Sequence, residues 1–338
     1  MQEIANPPPG ANQQDLARAA GVSVSTVSRA LSNSPGISAD VRAQIIKLAQ
    51  ELGYRARGTE ASVRTARAYV TANVMSGGLV AFYGAVMAGI AAAAKEAGLD
   101  LETRLVQQTL DLRRAERDAA HRPVDATLLV GIDPTPEFDT LFGARRPLVL
   151  VNTFDPMMTH DCVAPNNFYG AAWATRLLIE AGHRHILHIR DQIRWTTLQR
   201  QEGFFSAIEA APGVKGEILD IHTDGDAVLA RAAHRKKAGE AQWTAVFSVH
   251  DNGAIRMIHA LEDAGLSVPG DVSVIGFDDL PAAAMMTPRL STMRVDCGEL
   301  GRQAIELLQR RVSNPSAAVV QVQCAVAPVT GGTIAQLS

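Results

Sequence analysis

The sequence predicts a small all-α head followed by an α/β core of two lobes. Residues 12–54 carry three short amphipathic segments punctuated by Gly21 and by Pro35-Gly36. From Ala68 onward, apolar strand-like runs alternate with helix-length segments, a pattern that builds parallel sheets covered on both faces. At 338 residues and 47% hydrophobic composition the chain is long enough for more than one packed core.

The elements follow in order. MQEIANPPPGA (1–11) is Pro-rich and aperiodic, so a disordered tail is expected. Asn12 with Asp15 resembles a capping box, Leu16, Ala17 and Ala20 give one apolar face, and Gly21 stops the helix. Ser23 caps a second helix through Leu31, with Val27, Ala30 and Leu31 inward and Val24, Ser25, Ser28 and Arg29 outward. Ser38 caps a third, whose Val41, Ile45, Leu48, Ala49 and Leu52 recur at helical spacing before Gly53. Residues 55–67 carry several arginines and few apolar side chains, and read as a hinge or solvated linker. The core, 68–338, contains the strand-like runs YVTANVM, LDLETRLV, ATLLVGI, PLVLVN, HILHIR, EILDIH, AVFSVH, VSVIGFD and STMRV, most of them spaced by helices. That length suits two similar lobes better than one sheet.

Charge is uneven along the chain. Residues 1–67 sum to +3 and the remainder to −6, for a net −3: a mildly basic head on an acidic body. Cys162, Cys297 and Cys324 are odd in number and lie outside any CxxC spacing, so neither a disulfide framework nor a zinc site is expected. No run is long and apolar enough for a membrane span, and the start lacks signal-peptide character, so a cytoplasmic protein is expected.

Two helices joined by a tight Gly-containing turn, the second exposing short polar side chains and one arginine, meet the needs of a helix-turn-helix. A small leading face allows close approach to the major groove. Ser23, Thr26 and Ser28 suit phosphate anchoring, Arg29 suits the O6 and N7 of guanine, and Val24 suits a thymine methyl. A serine-rich capped helix in some other bundle gives the same local pattern.

DLARAAGVSVSTVSRAL followed by GISADVRAQIIKLAQELGYR resembles the head of the lactose and galactose repressor family of bacterial transcription regulators. The similarity continues through RPLVLVN, NNFYGA, LLIEAGHRHI, RQEGF, ALEDAGLSVPGDVSVIGFDD and PRLSTMRVD. The resemblance implies a homodimer on a pseudo-palindromic double-stranded operator, with a periplasmic-binding-protein-like core that takes a small effector between its lobes. Carried over, base reading falls on Val24, Ser25 and Arg29, backbone contact on Thr26 and Ser28, and the hinge on Arg57 and a wedge at Val63. The family's proline, alanine and leucine at the hinge are here Ala56, Glu60 and Val63.

The same resemblance places the effector against Phe82, Tyr83, Asn152, Arg200, His250 and Asp278, with Trp195 near the same strand end. Forked donors, carboxylates and flat aromatics suit a polyhydroxylated ligand such as a sugar. Asn152 stands where the family has a carboxylate, which favours a sugar acid. Aromatics serve cores equally well, and Asp278 with Asp279 also suits a turn. The sequence has no P-loop, no GxGxxG after a strand, no GxSxG and no HExxH, so neither an enzyme nor a cofactor is expected. Strand periodicity sets His188 opposite His183 and His185, against a metal site. The competing function is a sugar-binding receptor with no role on DNA.

Overall fold

The computed structural model describes residues 13–31, 36–51, 63–71, 80–106, 112–115, 117, 123–135, 138, 147–191, 194–221 and 224–337. The chain divides into two compact units, the first ending at Ser62 and the second beginning at Val63.

The head has the three expected helices: α1 (Gln13–Ala20), α2 (Val24–Leu31) and α3 (Ala39–Glu51). Gly21 adopts φ +66, which only glycine takes without strain, and this turns the chain from α1 into α2. Ser23 Oγ accepts the Thr26 amide at 3.1 Å, capping α2 as expected. Leu16, Ala17, Val27, Ala30 and Ile45 close the core of the unit. The tail, Leu52 and the hinge residues Ala56, Arg57 and Glu60 lie outside the described residues.

The second unit contains two parallel sheets. The first joins β1 (Thr65–Thr71), β2 (Asp100–Val106), β3 (Ala126–Val130), β4 (Leu148–Val151), β5 (Asp161–Pro165) and β11 (Gln321–Cys324) in the order β11-β5-β4-β3-β1-β2. The second joins β6 (His185–Arg190), β7 (Lys215–Asp220), β8 (Ala245–Ser248) and β9 (Ser273–Ile275) in the order β7-β6-β8-β9. β10 (Thr292–Val295) pairs antiparallel with β12 (Val326–Val329). In each sheet the strand order reverses beside its first strand, which opens a ligand crevice at the carboxyl ends.

The helices are α4 (Val80–Glu96), α5 (Asn167–Glu180), α6 (Trp195–Glu209), α7 (Gly225–Lys237), α8 (Asp251–Asp263), α9 (Pro281–Met285) and α10 (Cys297–Ser313). The chain leaves the first lobe after β5, builds the second from α5 to β10, returns through α10 and β11, and crosses again into β12. Each lobe is therefore discontinuous in sequence. Helices α4 and α10 meet backbone to backbone: a Cβ on Gly301 would lie 2.2 Å from the carbonyl carbon of Gly89.

Two expectations are corrected here. The hinge expected over 55–67 ends sooner, since β1 begins at Thr65 and Arg67 is a fully buried strand residue. Its guanidinium donates from Nε to Glu102 Oε2 at 2.9 Å, and Glu102 is its register partner on β2. A neighbouring strand thus neutralises a charge that the local sequence assigned to solvent. Val63, read as a wedge for DNA, is 3% exposed and packs in the core cluster of the second unit. Its apolar side chain gains more from that contact than from water.

Candidate functional site

In the head, α2 presents Val24, Ser25, Ser28 and Arg29 outward, with Val24 41% exposed, while Val27 and Ala30 anchor the opposite face. The hydroxyls at its start are ordered by one another: Ser23 Oγ lies 2.8 Å from both Ser25 Oγ and Thr26 Oγ1. Arg29 extends over Gly36, where a Cβ would come within 2.9 Å of its Nη2. The result is a short, trimmed ridge with one cation, shaped to enter a groove.

In the second unit one cleft gathers six of the seven expected effector residues: Phe82, Tyr83, Asn152, Arg200, His250 and Asp278. They come from opposite lobes. Phe82 and Tyr83 open α4 after β1, Asn152 follows β4, His250 follows β8 and Asp278 follows β9. Asn152, His250 and Asp278 thus lie just beyond strand carboxyl ends, while Phe82 and Tyr83 come from the first turn of α4 and Arg200 from α6, the helix after β6.

The wall from the first lobe is neutral. Phe82 and Tyr83 pack edge to face at 5.3 Å. Asn152 sits at φ +55, a conformation asparagine tolerates, and its Nδ2 donates to Tyr83 Oη at 2.8 Å. Asn152 Oδ1 is buried without a partner, an acceptor available to a ligand hydroxyl.

The wall from the second lobe is charged and internally paired. Arg200, 5% exposed, donates from Nε to Asn167 Oδ1 at 2.8 Å and from Nη1 to the Val249 carbonyl, and lies over the Phe277 ring at 3.7 Å. Its Nη1 stands 3.2 Å from Asp278 Oδ1 as an ion pair off hydrogen-bond geometry, which leaves that oxygen without a hydrogen bond. Burial pushes the Asp278 carboxyl above its ordinary pKa, with Arg200 and His250 opposing. Asp278 and Asp279 both take positive φ, 113 and 57, a strained pair held by the bridge between Asp278 and Arg294.

Behind them, fully buried Asp251 accepts from Thr292 Oγ1 and from the Leu280 amide. Burial, then repulsion from Asp278, pushes it up to about 8. His250 Nδ1 accepts the Gly253 amide at 2.9 Å, so its proton is on Nε2, which faces Asp191 Oδ2 at 3.2 Å.

Three cleft groups escaped the sequence reading: Asp191, Arg194 and the Thr196-Thr197 pair. Asp191 directly follows β6, a strand-end position like those of His250 and Asp278. Arg194 has no such mark, because its role depends on the opposite lobe. It donates to Tyr83 Oη, to Asp133 Oδ1 at 2.8 Å and to the Asn152 carbonyl at 3.3 Å.

Trp195 does not join the cleft; it stacks on Phe154 at 4.9 Å and lines a neighbouring cavity. It is the first residue of α6, and the helical turn sends it away from Arg194. His188 is a core histidine, stacked on Phe204 and Phe247 and pushed down to about 4 by burial.

Comparison with known proteins matches residues 13–56 to the model of bacterial regulatory proteins of the lacI family, and residues 175–334 to the periplasmic binding protein-like domain. The chain is 28% identical to the ribose operon repressor of Haemophilus influenzae over 90% of its length and 93% of the relative's. It is 30% identical to the HTH-type transcriptional regulator GalS of Salmonella typhimurium over 87% of its length and 88% of that protein's. Its fold is similar to that of a lac repressor dimer bound to operator and an anti-inducer, with TM-score 0.68 at 18% identity, covering 97% of this chain and 100% of that one.

Proposed function

The chain belongs to the lacI family of bacterial regulatory proteins, and from that premise we propose that it is a repressor whose operator affinity is set by an uncharged, polyhydroxylated effector, a sugar. It is a sequence-specific DNA-binding transcription regulator and not an enzyme. The observation that carries the effector class is the charge balance of the cleft. Both cleft arginines already hold a carboxylate, Arg194 that of Asp133 and Arg200 that of Asp278, while Asp191 faces His250. A carboxylate ligand would have to displace those partners, whereas hydroxyls can pair with Asn152 Oδ1, Asp278 and the threonines without unbalancing charge. This favours a neutral sugar over the sugar acid suggested by Asn152 alone.

On this reading residues 12–54 bind one half of a pseudo-palindromic operator, a homodimer supplies the second copy, and the core carries the effector and the dimer contacts. The protein acts in the cytoplasm, where its operator is; among the described residues no helix is long and apolar enough to cross a membrane. Ser23, Thr26 and Ser28 anchor phosphates while Val24, Ser25 and Arg29 read bases, with Arg57 of the linker adding a backbone contact.

Electrophoretic mobility shifts with DNA from the chain's own upstream region, with and without neutral sugars and sugar acids, test the proposal. A neutral sugar should change operator affinity, and a response confined to sugar acids would overturn the effector class. Arg29→Ala should cost about 1–3 kcal/mol on operator and little on scrambled DNA. Equal losses on both would remove Arg29 from base reading.

A further inference from the structure

The two arginines of the cleft are tied in opposite ways. Arg200 is held within its own lobe, by Asn167, the Val249 carbonyl and Asp278. Arg194 comes from the same lobe, yet its side-chain hydrogen bonds with described residues all go to the first lobe: to Tyr83 Oη, to Asp133 Oδ1 and to the Asn152 carbonyl. Both ends of that connection are fixed. Arg194 is the N-cap of α6, where Thr197 Oγ1 accepts its amide at 2.9 Å. Asp133 Oδ1 in turn accepts Thr153 Oγ1 at 2.5 Å, from just beyond the end of β4.

The guanidinium also takes up the room in which a ligand would lie. It borders the cleft together with Tyr83, Asn152 and Asp278, and its side chain is 12% exposed. The space left free is about 40 Å³, enough for about one or two waters. A pocket that encloses a small molecule needs about 300–1,000 Å³, so no sugar ring fits beside Arg194 while the lobes stand this close. Across the boundary the guanidinium does what a bound hydroxylated ligand would do, donating hydrogen bonds to the polar groups at the first lobe's strand ends. The contact is also one that can be released. A buried guanidinium is stabilised only as far as its partners offset its lost hydration, and the carboxylate it holds, Asp133, is 37% exposed.

We propose that Arg194 is a tethered occupant of the effector site: its guanidinium holds the two lobes together in the absence of the effector, and the effector binds by displacing it and parting the lobes. The proposal rests on the reading of this cleft as the effector site. It makes Arg194 a competitor of the ligand rather than one of its contacts. The apparent affinity for effector is then the intrinsic affinity reduced by the fraction of molecules in which Arg194 is released. Weakening the connection from either lobe therefore tightens effector binding without any new contact to the ligand.

Trp195, next to Arg194 in the chain and stacked on Phe154 of the first lobe, reports lobe separation. In full-length protein carrying Trp173→Phe the other tryptophan, Trp243, is 3% exposed, so acrylamide quenching follows Trp195. With no ligand added, Arg194→Ala should raise that quenching about twofold or more. Asp133→Asn, on the opposite lobe and with the neighbour of Trp195 intact, should raise it by less, and stands in if Arg194→Ala does not fold. In calorimetric titration with ribose, galactose, glucose and cellobiose, a sugar that binds the unsubstituted protein should bind Arg194→Ala about fivefold or more tightly. Quenching unchanged in both folded variants overturns the proposal, because something else then holds the lobes. Sugar binding unchanged or weakened in Arg194→Ala overturns it too, since Arg194 is then no competitor. Failure of all four sugars to bind the unsubstituted protein counts against the sugar reading alone, and the ligand-free quenching still decides whether Arg194 closes the lobes.

Discussion

The two walls of the cleft are built on opposite principles. The second lobe's wall carries charges that pair within the lobe, Arg200 with Asp278 and His250 with Asp191, and behind them Asp251 is held by Thr292 and the Leu280 amide. The first lobe's wall, Phe82, Tyr83 and Asn152, carries no charge and keeps an open acceptor. Arg194 is the side chain seen to reach from one wall to the other. The difference teaches that the second lobe holds its shape without a ligand, whereas closure against the first lobe rests on a few polar contacts that an effector can replace or reinforce.

The comparison breaks most directly at Arg200. Arg200→Met leaves Asp278, the Val249 carbonyl and Asn167 without their cation, and should cost about 3–5 kcal/mol in urea unfolding. A loss under about 1 kcal/mol would show that the network is not what holds this wall. Asp251 sharpens the same point through pH. Unfolded, it is ionised above about pH 4, whereas folded it keeps its proton up to about 8. The native state therefore binds the extra proton across that window, so its contribution favours folding at the acid end, declines as pH rises toward 8 and is flat beyond. Asp251→Asn should flatten that decline in unfolding measured across the window.

Arg194→Gln should cost less, about 1–2 kcal/mol of stability, because its Asp133 partner is partly solvated. Its larger signature should be faster hydrogen exchange in the cleft segments of both lobes. Exchange confined to the second lobe would deny the bridge. The smallest effect belongs to Val63→Ala, about 1–1.5 kcal/mol for two lost methyl contacts. DNA bending by the folded variant should be unchanged, and reduced bending would restore the wedge.

Much of this was legible in local patterns. HILHIR is the strand His185–Arg190 residue for residue, and the caps at Ser23 and Ser38 follow from hydroxyls placed before apolar stripes. The resemblance named Asn152, His250 and Asp278, and the structure brings the three to one cleft. The short strands β5, β11 and β12 were not legible, since β11 owes its pairing to β5 about 160 residues earlier and neither has clear alternation of its own. Arg67 looked like linker for the same reason: its partner Glu102 lies on another strand.

What the sequence determined by itself is whatever depends on near neighbours: the helix-turn-helix with its trimmed, capped second helix, the alternation that makes parallel sheets, and the residue types at strand ends. Tertiary structure alone decided which of those ends meet. It set Arg194 against Tyr83 and Asp133, turned Trp195 out of the cleft into its own cavity, and drew Val63 into the core. The reason is physical. Caps and periodicity are satisfied within a few residues, whereas neutralising a buried charge or filling a cavity needs whatever group the fold brings alongside, at any distance along the chain.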